Sequence, residues 1–377
     1  MSASVNKKRM RLKGLIIKEF LQIWRDPSSM AIAFVLPVFL LLLFGYGVSL
    51  DAKHVPLGWV IDKSTPETSS FTAAFSQSEY FQSSYYPDIN SATKAMEHRK
   101  INAIIHLRED FSRELFKQNS PAIQVIVNGV DANTARLISG YVQGAWNKWL
   151  THLVEIRGIS LSKPVTIEQR IWYNSAILSK DYLVPGLIAV IMTLIGALLT
   201  ALVMAREWER GTLEAMIATP ITMSEVLLGK LIPYYLLGMG GMLLSIAMAV
   251  FLFDVPLRGS FWVLMITGTL FLLVALGMGL LISIVAKNQF VAGQIALIVT
   301  FLPAFILSDF IFDIGSMPAA VQGFTYLVAP RYFVAILQTV FLAGNIWAVI
   351  LPNAVALLIM AVIFFTLAMK KAPKRLE

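Results

Sequence analysis

Six apolar runs divide the chain, and each is long enough to cross a lipid bilayer as a helix. They cover residues 30–50, 182–204, 231–253, 261–286, 290–308 and 347–369. A bilayer-crossing helix needs about 20 mainly apolar residues, so the pattern predicts six transmembrane helices. The first run exceeds the apolar region of a typical signal peptide, about 7–15 residues, and no convincing cleavage site follows it. We interpret it as a retained signal anchor.

The short polar flanks of these runs differ in their Lys and Arg content. Basic residues are frequent in the N-terminal arm, which contains KKRMRLK, after the second and fourth runs, and in the tail at 370–377. The opposite set of short connections holds only Arg258 and Arg331. Because cytoplasmic loops carry the excess of Lys and Arg, both chain ends are predicted to be cytoplasmic.

The long polar segment at 51–180 lies between the first two spans and is predicted to be extracytoplasmic. VPLGWVID, AIIHL and IQVIVNG have the pattern of buried strands. SATKAMEHRK, REDFSRELFKQ and DANTARLISGYVQGAWNKWLTHLVEI have the pattern of helices. Strands that alternate with helices predict a compact α/β domain inserted into an α-helical membrane protein.

Composition indicates a membrane protein, and the sequence lacks the motifs of a catalytic, metal or nucleotide site. The chain is 57% hydrophobic and 14% charged, whereas soluble domains are about 25% charged. Its formal net charge of +8 lies at the chain ends and beside the apolar runs, which does not favour nucleic acid as a partner. Cysteine is absent, the four histidines have no metal-ligand spacing, and VLLGKLIP lacks the upstream Gly and the hydroxyl residue of a phosphate-binding loop. We therefore expect no enzymatic activity, metal or cofactor in this chain.

The connection between the second and third spans, residues 205–222, is more charged than a simple turn requires. AREWERGTLEAMIATP extends the second span, is interrupted at Gly211, and ends before Pro220, where the preceding residue disfavours the helical conformation. TMSE then predicts a capping box between Thr222 and Glu225 at the start of the third span. The pattern predicts a short cytoplasmic helix between two breaks. The alternative is an interfacial turn with solvated charges.

The N-terminal segment, residues 1–29, is predicted to form an amphipathic cytoplasmic helix. MRLKGLIIKEFLQIWRDP places apolar residues at helical spacing and stops at Asp26–Pro27. Such a helix lies in the membrane interface and contacts lipid; a simple anchor for the signal sequence is the alternative. Its predicted apolar face consists of Leu12, Leu15, Ile16, Phe20 and Ile23.

The order of these features resembles the ABC-2-type permeases of bacterial ABC exporters, and the branch of multidrug exporters with a large extracytoplasmic domain above all. The resemblance rests on the helix ending in RDP, Pro37 in the first span, the REWERGTLE stretch, and PRYFVAILQTVFLAGN before the last span. It implies that two permease subunits, identical or related, each contact a cytoplasmic ATPase that binds ATP and Mg²⁺. It also implies a bacterial inner-membrane location and is compatible with a periplasmic adaptor.

By this resemblance, the N-terminal helix and the charged connection contact the ATPase. Gly211 would allow a bend, and Glu207 and Glu209 would meet basic residues of the ATPase. The implied coupling surface consists of Arg206, Glu207, Glu209, Arg210, Gly211, Thr212 and Glu214. The resemblance further implies that 309–345 forms short re-entrant helices at the outer end of the pathway, with Pro330 and Gly344 as breaks and Arg331 at the outer interface; a surface hairpin is the alternative.

The span interiors lack ionisable residues, which disfavours an ion-coupled carrier. An uncharged pathway suits hydrophobic or amphipathic cargo, drugs among them. We therefore favour an ATP-driven exporter permease over a non-transporting sensor or assembly protein that acts through its outer domain. Candidate pathway residues on the first, second and fifth spans are Phe34, Phe39, Phe44, Met192, Thr193, Thr200, Gln294 and Phe305.

Overall fold

A computed structural model describes residues 2–47, 55–76, 80–98, 100–115, 123–128, 132–157, 178–212 and 221–371. The chain divides into two compact units. One is the membrane unit, formed by Met1–Ser49 and Ile171–Glu377, and the other is Leu50–Arg170.

Among the described residues, six helices are long and apolar enough to cross a membrane, which is the predicted number; one bent helix pair, Ala319–Thr325 and Ala329–Ala343, would add a seventh if it formed a single span. The spans, in order, are Pro27–Gly47, Ser179–Glu209, Met223–Phe251, Phe261–Ala286, Gln289–Leu307 and Trp347–Lys371. The second and third spans extend beyond their apolar runs because the charged turns at their ends are still helical. The third begins at the predicted capping box, in which the Thr222 backbone N–H donates to Glu225 Oε2 at 2.8 Å.

The second and fourth spans form the centre of the membrane unit. Every residue from 183 to 197 in the second span is buried, as expected for a helix that is apolar on all sides. Small residues let the two helices approach closely, since a Cβ built on Gly196 would lie 2.6 Å from the Ala275 Cβ. The Thr200 hydroxyl links the pair by donating to the Leu276 carbonyl at 2.9 Å.

The first, fifth and sixth spans form the periphery and leave long apolar surfaces uncovered. The first and fifth each contain a π-helical segment, at Ala31–Val35 and Leu297–Phe301. Each segment ends two residues before a proline, Pro37 or Pro303. Proline removes a backbone donor and crowds the preceding turn, which accounts for the local widening.

The segment between the fifth and sixth spans forms two short helices, Ala319–Thr325 and Ala329–Ala343, bent by 82° at their junction. Pro330 lies in the first turn of the second helix, and Gly344 ends it with φ +94°. Arg331 donates to the Thr325 hydroxyl and lies 3.8 Å from the centre of the Tyr326 ring. The bend lies just before Pro330, and Gly344 ends the second helix. The re-entrant position of this pair at the outer end of the pathway stays a prediction.

The Leu50–Arg170 unit is an α/β domain, as predicted. Its four strands are β1 (Val55–Ile61), β2 (Phe81–Tyr86), β3 (Ala103–Leu107) and β4 (Ile123–Val127), in the order β2-β1-β3-β4. β1 is parallel to β2 and β3, whereas β3 and β4 are antiparallel. The helices are Pro66–Ser76, Ile89–Glu97, Phe111–Leu115 and Ala132–Arg157.

Two elements of this domain were not predicted from the sequence. β2 is an edge strand with several exposed residues, so its FQSSYY segment lacks an apolar pattern. The helix Pro66–Ser76 has only Phe71 and Phe75 at helical spacing as a signal. Both phenylalanines are buried and pack against Trp59 of β1 at ring-centre distances of 5.8 and 5.1 Å.

Candidate functional site: a charged junction at the ends of the second and third spans

The N-terminal helix, Ser2–Trp24, lies against the first turns of the third span. At one end of the contact, Arg11 pairs with Glu225 at 3.1 Å. One turn further, Leu15 contacts Gly229 so closely that a Cβ built on the glycine would lie 2.9 Å from the leucine Cβ. The helix is therefore attached to the bundle along one side, with a defined register.

Four charged side chains form a cluster where this helix meets the second and third spans. Lys230 Nζ lies 2.7 Å from Glu207 Oε1 and 2.9 Å from Glu19 Oε1. Glu19, Glu207 and Lys230 are at most 3% exposed. Lys18 completes the cluster from the rim, at 3.2 Å from Glu207 and 3.3 Å from Glu19. Burial opposes the charge of Lys18, but the two carboxylates outweigh it and raise the pKa of the ammonium group.

A second ion pair closes the junction at the start of the first span. Asp26 caps that span, because its side chain accepts a hydrogen bond from the Ser28 backbone N–H at 3.2 Å. Its other oxygen accepts from Arg206 at 2.7 Å and from the Ser29 hydroxyl at 2.8 Å. Partial burial disfavours the charged carboxylate, but hydrogen bonds from Ser28, Ser29 and Arg206 outweigh it and lower the pKa of Asp26 to about 2.

This lowered pKa predicts how the contribution of Asp26 to stability depends on pH. A depressed folded-state pKa gives stability that is present above the unfolded value of 3.8 and is lost as pH falls toward about 2. The melting temperature of the purified protein should therefore exceed that of an Asp26→Asn variant by a constant amount from about pH 8 to about pH 5, and by less below about pH 4. If the difference in melting temperature between the two proteins already shrinks between pH 7 and pH 5, the pKa of Asp26 is not lowered as described.

The second span ends with Glu209, and the chain then turns at Gly211. Glu209 accepts hydrogen bonds from the Asn288 side chain at 2.6 Å and from the Gln289 backbone N–H at 3.0 Å, which joins it to the start of the fifth span. Gly211 has φ +64°, a conformation that favours glycine. The predicted interruption at Gly211 is confirmed. Glu214 and the helix predicted between the two breaks lie outside the described residues.

A cleft of about 430 Å³ opens at this junction. Its lining contains four cationic and two anionic side chains; two ion pairs, Lys18–Glu207 and Arg206–Asp26, neutralise the anions. Among the described residues, Arg25 and Arg210 have no ion-pair partner, and both are exposed. The cleft therefore presents positive charge. It is lined by Lys18, Gln22, Arg25, Asp26, Arg206, Glu207, Arg210 and Thr212.

One expectation about this junction is wrong. Glu207 was expected to meet basic residues of a partner, but its carboxylate is buried between Lys230 and Lys18 of its own chain. On the predicted apolar face of the N-terminal helix, Ile23 is buried, Leu12, Leu15 and Ile16 are half-buried, and Phe20 is 41% exposed. The buried Glu19 lies on the same face.

Comparison with known proteins shows in which protein family this junction occurs. Residues 27–370 match the ABC-2 family transporter protein family. The chain is 44% identical over 368 residues to the probable multidrug ABC transporter permease YbhS of Escherichia coli K12, covering 97% of this chain and 98% of YbhS. It is 26% identical over 334 residues to the probable multidrug ABC transporter permease YbhR of the same organism, covering 88% and 90% of the two chains.

The chain belongs to the ABC-2 transporter family. It is a multi-pass membrane protein and the permease subunit of an ABC exporter. Membership of this family implies partnership with an ABC ATPase subunit. The charged junction is therefore a feature of a transport subunit.

The candidate pathway residues of this permease occupy two kinds of position. Met192, Thr193 and Thr200 are buried in the packed centre of the single chain, and their assignment to the pathway stays a prediction. Phe39 and Gln294 are exposed, whereas Phe34, Phe44 and Phe305 are half-buried. The rings of Phe44 and Phe305 lie 6.1 Å apart and join the first and fifth spans.

Several residues of the junction were not identified from the sequence. Glu19, Asp26 and Lys230 belong to buried or partly buried ion pairs, but in the sequence they are ordinary charges beside apolar runs. The one available signal was Glu19, a charge that falls on the predicted apolar face of the N-terminal helix. A charged residue in that position predicts a buried partner.

Proposed function

We propose that this permease moves hydrophobic or amphipathic compounds, including drugs, outward across the bacterial inner membrane. ATP and Mg²⁺ would be bound by the partner ATPase, which docks on the charged junction. The observation that carries the proposal is the cleft, because the coupling residues Arg206, Glu207, Arg210 and Thr212 line it together with residues of the N-terminal helix. The names of YbhS and YbhR as multidrug permeases support the cargo class.

The charge of the cleft indicates the chemistry of the docking partner. Arg25 and Arg210 are exposed guanidinium groups, and the neighbouring anions are already neutralised within the chain. Acidic side chains of the ATPase would complement them. Charges at an interface rim steer association and set its register more than they add affinity, which suits a partner whose position must be defined.

Both chain ends and the junction would face the cytoplasm, and the α/β domain would be extracytoplasmic. The excess of basic residues beside the junction supports this orientation. A second permease subunit, identical or related, would cover part of the apolar surface of the first and fifth spans, with lipid covering the rest. The exposed Phe39 and Gln294 lie on these spans and would face the pathway between the two subunits. A periplasmic adaptor would contact the α/β domain.

Reversal of the two free charges tests the proposal. The permease is expressed with its cognate ABC ATPase, purified in mild detergent, and its affinity for the ATPase is measured. The Arg25→Glu/Arg210→Glu double variant should bind the ATPase at least about tenfold more weakly, a loss of about 1.4 kcal/mol, because like charges would then face each other. Arg108→Glu, which reverses one charge at an exposed site in the α/β domain, is the control and is compared with each single reversal, Arg25→Glu and Arg210→Glu, as well as with the double variant.

The proposal fails if the double variant binds the ATPase as tightly as the native chain does. It also fails if the native complex, reconstituted in vesicles, transports only hydrophilic compounds when ATP is supplied. A loss of binding in the Arg108→Glu control would show that the measurement reports net charge rather than the cleft. Transport without any ATPase would favour an ion-coupled carrier instead.

A further inference from the structure

The buried cluster of Glu19, Glu207 and Lys230 joins three separate parts of the membrane unit. Glu19 belongs to the N-terminal helix, Glu207 to the end of the second span, and Lys230 to the second turn of the third span. Lys230 and Glu19 are 211 positions apart in the sequence. One ammonium group at 2.7 and 2.9 Å from two carboxylates therefore connects the helix, the coupling end of the central span and the span that follows it.

Apolar packing alone holds the N-terminal helix weakly. Of its predicted apolar face, only Ile23 is buried, whereas Phe20 is 41% exposed and the others are half-buried. The opposite side exposes further apolar residues, among them Met10, Ile17 and Trp24. The position of the helix is instead defined by contacts along its length: Arg11 with Glu225, Leu15 against Gly229, and Glu19 with Lys230.

A buried ion pair adds little net stability compared with a well-packed apolar contact. It does, however, make other arrangements costly, because displacement of one partner leaves an unpaired charge in a dry environment. Glu19 and Glu207 each use a single oxygen toward Lys230, and their second oxygens are buried without a hydrogen-bond partner among the described residues. The two carboxylates thus depend strongly on the ammonium groups of the cluster.

We propose that Lys230 is a positioning residue for coupling: it holds the N-terminal helix and the cytoplasmic end of the second span to the third span as one rigid body. A displacement of the cleft by the ATPase is then transmitted to the second span and is not absorbed by movement of the N-terminal helix. This inference rests on the proposed docking of the ATPase at the junction. The rigidity itself belongs to this chain and can be measured without the ATPase.

The absence of native cysteine allows labels to be placed at chosen sites. Spin labels at Lys13→Cys on the N-terminal helix and Lys287→Cys after the fourth span report the position of the helix relative to the core by electron paramagnetic resonance; both sites are exposed. The native background should give one narrow distance distribution. The Lys230→Met variant should give a broad distance distribution instead, because Glu19 and Glu207 then have only Lys18 as a shared partner. Lys370→Met, the same substitution at an exposed lysine, should leave it narrow.

A neutral triple variant, Glu19→Gln/Glu207→Gln/Lys230→Met, separates positioning from stability. It contains no buried unpaired charge, because the remaining Lys18 side chain is 47% exposed and can reach solvent. It should therefore recover the melting temperature that Lys230→Met loses. Its distance distribution should nevertheless stay broad, since the ionic register is gone. A narrow distribution in the triple variant, or in Lys230→Met itself, would overturn the proposal. If Lys230→Met does not fold, the triple variant still decides the question.

The same labels distinguish this inference from the proposed function. In the complex with the ATPase, trapping with ATP and vanadate should shift the single native distance to a second single value. In the triple variant the ATPase should still bind, because Arg25 and Arg210 are intact, but the sharp shift should be lost. If the ATPase binds no form of the permease, the proposed docking fails while the measurement on the isolated chain still tests Lys230.

Discussion

Glu207→Lys is expected to destabilise the membrane unit by about 3–5 kcal/mol, the cost of breaking a buried ion pair and leaving its partner charges uncompensated. The native carboxylate is 3% exposed and lies 2.7 Å from Lys230 and 3.2 Å from Lys18. A third ammonium group in that position would face two others with only Glu19 left to balance them. The loss is therefore internal to the chain and does not depend on whether a partner is bound.

Thermal unfolding of the detergent-purified permease in the absence of the ATPase measures this effect. Glu209→Lys is the matched control, because it makes the same change of charge two positions away, at a side chain that is exposed. Its loss should be about 1 kcal/mol or less, from the hydrogen bonds to Asn288 and Gln289. Equal melting temperatures for Glu207→Lys and the native chain would show that Glu207 is available to solvent or to a partner.

The contrast between these two glutamates shows what the sequence predicts and what it does not. Run length and hydropathy were sufficient for the six spans, because a bilayer crossing sets a minimum apolar length that few other structures require. The Thr222–Glu225 capping box and the break at Gly211 were also predicted, since both depend on residues close in the sequence. Features that depend only on neighbouring residues can therefore be predicted from the sequence.

The charged junction depends instead on residues far apart in the chain. Glu207 and Glu209 both follow an apolar run, and only the three-dimensional contacts to Lys230 and to Asn288 separate their roles. Lys18 and Glu207 are 189 positions apart. Periodicity predicted the apolar face of the N-terminal helix but not its attachment through ion pairs, because periodicity shows which side is apolar and not which charges find a partner far away in the sequence.

The same limit applies to the pathway. Polar residues such as Thr193 and Thr200 in an apolar span are typical both of a lined pathway and of contacts within the bundle. Each donates instead to a nearby carbonyl, Thr193 to Ala189 at 2.7 Å and Thr200 to Leu276 at 2.9 Å. Hydropathy does not distinguish a span in the centre of the bundle from one at its edge, because both are equally apolar.

Gly279→Ala is expected to reduce the stability of the membrane unit by about 1–3 kcal/mol, the usual cost of overpacking a core. It should also impair any motion that depends on the central pair of spans. A Cβ at Gly279 would overlap the Ala197 carbonyl oxygen and the Thr200 hydroxyl of the second span. The carbonyl belongs to the backbone of a buried helix and cannot rotate away. The two spans would therefore have to separate, which would also strain the Thr200–Leu276 hydrogen bond.

Gly238→Ala provides the matched control for this substitution. It adds the same methyl group to a buried glycine of the third span, but the new Cβ would lie at an ordinary contact distance of 3.5 Å from Leu272. Its melting temperature should stay close to that of the native chain, whereas Gly279→Ala should fall below it and lose ATP-driven transport in vesicles. Equal melting temperatures for the two variants would mean that the second and fourth spans have room to move apart. In that case, close packing at Gly279 would not explain the rigidity of this central pair of helices, on which the charged junction acts.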